Sequence, residues 1–161
     1  MNYPKRKPNR LPQYDYSQPN MYFITICTHG HKKFFWQNVG ATIGRPPCVE
    51  LSEYGKVVQA AIEEIPQHYP AVRLEHYVVM PNHVHLLLVI RADPGDPQQT
   101  FPSISRVIQQ LKGFITKQIG FSVWQKLYHD HIIRNDREYR KIWEYINCNP
   151  AIWANDCFYE E

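Results

Sequence analysis

Two hydrophobic spacings alternate along this chain. The run Tyr22–Cys27 is rich in β-branched and aromatic residues, as is Leu74–Val79, and both predict strands. His83-Val84-His85-Leu86-Leu87-Leu88-Val89-Ile90 follows a Pro81-Asn82 corner and is apolar on both faces from Leu86 onward, the pattern of a central strand covered on each side. Helical spacing takes over between these runs. Tyr54, Val58, Ala61, Ile62 and Ile65 follow the N-cap residue Ser52, with Pro66 near the end. A second helix is predicted from Ser103 to Ile119 on the stripe Ile104, Val107, Ile108, Leu111, Phe114 and Ile115. His131-Ile132-Ile133 predicts a short fourth strand, and a last helix starts near Asn135 with Glu138 three residues on, a capping-box pattern. Tyr139, Ile142 and Ile146 form its apolar face, and Pro150 is expected to stop it by pushing Asn149 away from helical angles. Residues 28–50 and the Pro94, Gly95, Pro97 stretch read as loops.

The order β-α-β-β-α-β predicts an α+β fold. Its core is a ferredoxin-like antiparallel sheet covered on one face by helices, followed by a C-terminal helix. With 161 residues, 43% of them hydrophobic, the chain suits one domain with a real core.

Charge adds a possible partner. The net charge is +3, mildly basic, which permits nucleic acid without demanding it. Lys5, Arg6, Lys7 and Arg10 stand among Pro4, Pro8 and Pro12, with Asp15 the one acid of residues 1–20. Such a segment is an extended arm, either a solubilising tail or a strap along a phosphate backbone. The helix at 103–119 carries Arg106, Gln109, Gln110, Lys112, Thr116 and Lys117 opposite its apolar stripe, with no acid. That face is either simply solvated or a surface for phosphates. The four cysteines, Cys27, Cys48, Cys148 and Cys157, show no C-x-x-C spacing and read as reduced thiols of a cytoplasmic protein. No signal peptide or membrane span is expected.

Candidate chemistry gathers on His83 and His85. Alternate residues of a strand share a face, so these imidazoles stand side by side on a rigid platform and can take two positions on a metal ion. The pairs His29/His31 and His129/His131 share the spacing but lack that platform. On the last helix, Tyr145 and Asn149 are four apart and share an edge outside the apolar stripe. Spacing alone leaves two readings of them: a nucleophile with a third ligand, or a packed ring with a helix C-cap.

Four segments, in order, resemble the REP-associated tyrosine transposases, a branch of the HUH single-strand DNA transposases. They are Arg10-Leu11-Pro12-Gln13-Tyr14-Asp15-Tyr16 running into Tyr22–Cys27; Val79-Met80-Pro81-Asn82-His83-Val84-His85-Leu86-Leu87; Trp124-Gln125-Lys126-Leu127-Tyr128-His129-Asp130-His131-Ile132-Ile133-Arg134-Asn135; and Tyr145-Ile146-Asn147-Cys148-Asn149-Pro150 with Trp153 and Asp156 beyond. The resemblance implies a single catalytic domain over 21–161 behind a basic arm at 1–20. It implies Mg²⁺ or Mn²⁺ on His83 and His85, and Tyr145 as nucleophile. Asn149 then stands where many relatives carry a glutamine ligand, one methylene longer. The implied substrate is single-stranded hairpin DNA, cleaved and rejoined through a 5′-phosphotyrosine, by a monomer or a homodimer. The resemblance gives His131 no settled catalytic role. Two other readings stay open: a non-catalytic nucleic-acid-binding module on the same sheet, and a metal-dependent hydrolase acting through water.

Overall fold

The fold is that of a computed structural model, described for residues 11–37, 50–155 and 157–158. The arm residues Lys5, Arg6, Lys7 and Arg10, and Cys48, lie outside these. In chain order the elements are β1 (Met21–Cys27), a 3₁₀ turn (His29–His31), β2 (Trp36–Gln37), β3 (Glu50–Leu51), α1 (Glu53–Glu63), α2 (Ile65–His68), β4 (Val72–Val79), β5 (His83–Ile90), α3 (Ile104–Ile119), β6 (His129–Ile133), α4 (Asp136–Cys148) and a second 3₁₀ turn (Asn149–Asn155). The strands β4-β5-β1-β6 form one sheet in that order, and β2 and β3 form a separate ribbon. Every neighbouring pair of the larger sheet is antiparallel. This is the ferredoxin-like α+β arrangement that the element order predicts.

Side-chain caps and a left-handed glycine close the helices, the caps at Ser52 and Asn135 as expected. Ser52 accepts from the Gly55 amide and Ser103 from that of Arg106. Asn135 accepts from Glu138, and Gly120 ends α3 at φ 90°, the left-handed conformation glycine adopts without penalty.

The alternation of β1 and β5 sorts their side chains into two cores. Ile24, Ile26, Val84, Leu86 and Leu88 pack with Val58 and Ile62 of α1 and Ile108 and Ile115 of α3. Leu87, Phe23 and Met21 point the other way, toward Ile133 and the α4 residues Tyr139, Ile142 and Ile146. Helices therefore cover both faces of the sheet. The expected single covered face is corrected: the apolar stripe of α4 needed a sheet face, and the one opposite α1 and α3 was free. Since β5 alternates, His83 and His85 fall on the α4 side.

The α-helix α4 does end just before Pro150, at Cys148, but not by the expected means. Asn149 keeps helical angles (φ −55°, ψ −45°) and its amide bonds to the Tyr145 carbonyl. The chain then tightens into the 3₁₀ turn instead of leaving the axis. Proline is tolerated in the first residues of a turn, where its missing N–H has no acceptor to serve. Asn149 therefore stays in helical register with Tyr145.

Candidate functional site

The site begins with the corner at Pro81-Asn82. The Met80 amide donates to the His83 carbonyl at 2.9 Å, closing the turn, and the Asn82 carbonyl accepts from the Thr28 amide at 2.8 Å. β5 leaves this corner in register with β1, Thr25 opposite His85 and Cys27 opposite His83. His83 is fully buried and His85 is 1% exposed.

Each imidazole is held from behind. His83 Nδ1 lies 2.8 Å from Asn82 Oδ1, and His85 Nδ1 lies 2.8 Å from Thr25 Oγ1. Their Nε2 atoms are 3.1 Å apart. Burial, reinforced by repulsion from His83, pushes the His85 imidazole well below its ordinary 6.5. It is therefore neutral at pH 7, the form that ligates metals.

Tyr145 comes from α4 onto this pair. Its ring centre is 5.2 Å from that of His85 and 6.2 Å from that of Phe23. Phe23 stacks on His85 at 5.1 Å from below. The segment after α4 supplies a roof: the Phe158 ring is 4.7 Å and the Trp153 ring 5.9 Å from His83. One turn beyond Tyr145, Asn149 is fully buried, and among the described residues neither its Oδ1 nor its Nδ2 has a hydrogen-bond partner. An amide left bare in this way is costly, about 1–3 kcal/mol, unless a ligand completes it.

These residues fit a divalent cation. With their Nε2 atoms 3.1 Å apart, the two neutral imidazoles could both bind one such ion. No cluster of three or more His, Cys, Asp or Glu suited to a metal exists among the described residues. The remaining positions would fall to the Asn149 amide and to oxygens of a substrate, the hard donors such an ion keeps open.

The other sequence-identified residues are distributed elsewhere. Tyr128, the nearest rival nucleophile, packs in the core on the α1/α3 side with its hydroxyl 3.2 Å from Ser105. Tyr139 lies in the smaller core. His131 bonds Glu138 at 2.5 Å, tying β6 to the first turn of α4. His29 is exposed, and His31 contributes its carbonyl, which accepts from Asn82 at 3.2 Å. On α3, Arg106 and Lys117 are exposed. Lys112 instead directs its ammonium at the carbonyls of Gln125 and Lys126, at 2.7 and 3.1 Å, and burial lowers its pKa. Thr25 and the Phe158 roof carried no sequence signal. The register that sets Thr25 opposite His85 is a property of strand pairing, and its one trace is a threonine amid the apolar Tyr22–Cys27 run. Among the described residues no helix is long and apolar enough to cross a membrane.

The same fold occurs among proteins of known structure. No protein-family model matches the chain. An uncharacterised Haemophilus influenzae protein is 31% identical over 173 residues, spanning 96% of this chain and 93% of its own. A second protein of that organism, provisionally named as a REP-associated tyrosine transposase, is 21% identical, with 85% of this chain and 73% of its own covered. Among solved structures, a REP-associated tyrosine transposase bound to a REP hairpin superposes with a TM-score of 0.59 at 20% identity, over 88% of this chain and 72% of that one. The chain is thus similar in sequence to one protein named as a REP-associated tyrosine transposase and shares the fold of another.

Proposed function

We propose that the protein is a metal-dependent transposase that cleaves and rejoins single-stranded DNA at hairpin sites through a 5′-phosphotyrosine on Tyr145. The observation that carries the reading is the convergence of His83 Nε2 and His85 Nε2, 3.1 Å apart, beside the Tyr145 ring. The relative solved with a REP hairpin supports the choice of substrate.

His83, His85 and the Asn149 amide oxygen would hold Mg²⁺ or Mn²⁺. When bound, the ion withdraws charge from the scissile phosphate. The Tyr145 hydroxyl attacks phosphorus in line. The bond from phosphorus to the 3′ oxygen breaks, leaving a 3′-hydroxyl strand and a 5′-phosphotyrosine. The phenol proton goes to solvent and the leaving 3′ oxygen takes one up. A phenol, with pKa about 10, is a poor nucleophile at neutral pH but a good leaving group for the return step. In that step a 3′-hydroxyl displaces Tyr145 and the strand is rejoined. The phosphotyrosine conserves the bond energy, so no nucleotide cofactor is required. Phe23 and Ile146 hold the ring and the helix that aim the hydroxyl. Trp153 and Phe158 roof the imidazoles.

Incubation of the protein with Mn²⁺ and an end-labelled single-stranded hairpin, followed by a denaturing gel, tests the proposal. The expected product is a protein-linked DNA band that disappears on protease treatment. Cut DNA without linked protein would move the chain to the hydrolase reading. DNA that is bound yet never cut would return it to the binding-module reading.

A further inference from the structure

The two histidines are held by unlike partners, and the difference assigns their protons. Asn82 Nδ2 lies 2.7 Å from the Phe158 carbonyl oxygen and 3.2 Å from that of His31. Both are acceptors, so this atom is the NH₂ group and the amide has only one orientation. Its Oδ1, an acceptor only, faces His83 Nδ1 at 2.8 Å. His83 in its neutral form must then carry its proton on Nδ1 and present a bare lone pair at Nε2.

That lone pair looks at His85 Nε2 across 3.1 Å. Two facing lone pairs repel, and both residues are out of reach of solvent. In the metal-free site His85 therefore carries its proton on Nε2 and donates it to His83. Its Nδ1 becomes an acceptor, and Thr25 Oγ1 at 2.8 Å donates. A cation at the pair needs both Nε2 lone pairs. His85 must give up its Nε2 proton to solvent and take one at Nδ1, with no net release. The only change this demands of its partner is that the Thr25 hydroxyl turn from donor to acceptor. A hydroxyl does so by rotating about its C–O bond, while an amide oxygen cannot.

We propose that Asn82 and Thr25 are positioning residues of the metal site. Asn82 locks His83 in the Nδ1–H tautomer. Thr25 lets His85 exchange tautomer, so that an Nε2–H···Nε2 hydrogen bond holds the empty pair until a divalent cation replaces it. This rests on the metal reading above.

Nitrogen-15 imidazole NMR of the full chain tests it, with Zn²⁺ as a diamagnetic probe and calorimetry for affinity. Metal-free protein should show His83 as Nδ1–H and His85 as Nε2–H, and saturation with Zn²⁺ should convert His85 to Nδ1–H. Thr25→Val should bind Zn²⁺ at least about tenfold more weakly. Thr25→Ser, which keeps the hydroxyl, should bind it as the parent does and should fold even if the valine variant does not. Zn²⁺ uptake by a protein whose His85 is already Nδ1–H without metal overturns the exchange alone. The expected metal-free tautomers with no Zn²⁺ uptake overturn the metal reading and the exchange with it. Equal affinity in Thr25→Val and the parent removes the role of Thr25.

Discussion

His83 and His85 are buried polar side chains, and each is tolerated there because a neighbour satisfies its Nδ1. Replacing either with alanine removes a nitrogen from the proposed cation site and a ring packed against Phe23 or Phe158. His83→Ala and His85→Ala should abolish metal-dependent cleavage, whereas His29→Ala, in the exposed 3₁₀ turn, should leave it near the parent level. Full cleavage by His85→Ala would remove the metal assignment. Acidity acts at the same place. The folded-state pKa of His85 lies below its ordinary 6.5. On acidification the unfolded chain therefore takes up this proton first, and the folded state loses stability as pH falls below 6.5. Thermal melts from about pH 8 to about pH 5 should show a falling midpoint toward acid, and His85→Phe should flatten part of that fall. An unchanged slope in His85→Phe would show that other groups carry it. The pair itself was legible in the sequence because alternation on a strand is local. Its supports were not, because Thr25 meets His85 through a contact spanning sixty residues.

At the scale of elements, α4 does two jobs with two edges. Tyr139, Ile142 and Ile146 seat it on Leu87 and Ile133, and the adjoining edge presents Tyr145 and Asn149. Ile146 is 1% exposed, so Ile146→Ala should lower stability by about 2–5 kcal/mol in denaturant unfolding. A loss under about 1 kcal/mol would mean that α4 is seated by other contacts. The strands and helices were readable because apolar spacing and capping residues are local signals. Ser52 and Asn135 sit at the N-caps that the sequence predicts. The fate of Asn149 was not readable. The residue before a proline usually leaves helical angles, yet here the following turn holds it in place. Nor was the work of Lys112, because the carbonyls it meets belong to a loop thirteen and fourteen residues further on.

For the whole molecule the question is how a chain of net charge +3 would hold the proposed polyanion. Arg106 and Lys117 remain exposed on α3, and the basic arm precedes the described fold. Hairpin DNA affinity should fall with salt, and Arg106→Ala and Lys117→Ala should each reduce the slope by about one. Lys112→Met should instead lower the melting temperature, since its ammonium bonds the Gln125 and Lys126 carbonyls. Deleting residues 1–10 should flatten the salt slope further, and an unchanged slope would make the arm only a tail. All of this concerns binding, whereas the central claim is covalent. Tyr145 stands on the histidine side of the sheet, while its rival Tyr128 is packed on the other. The most direct test is peptide mapping of the DNA adduct trapped with Mn²⁺, with Tyr145→Phe in parallel. The account predicts a DNA-linked peptide containing Tyr145, and a Tyr145→Phe protein that folds and binds the hairpin but yields neither cut DNA nor adduct. A linked peptide containing Tyr128, or cleavage by Tyr145→Phe, would contradict it.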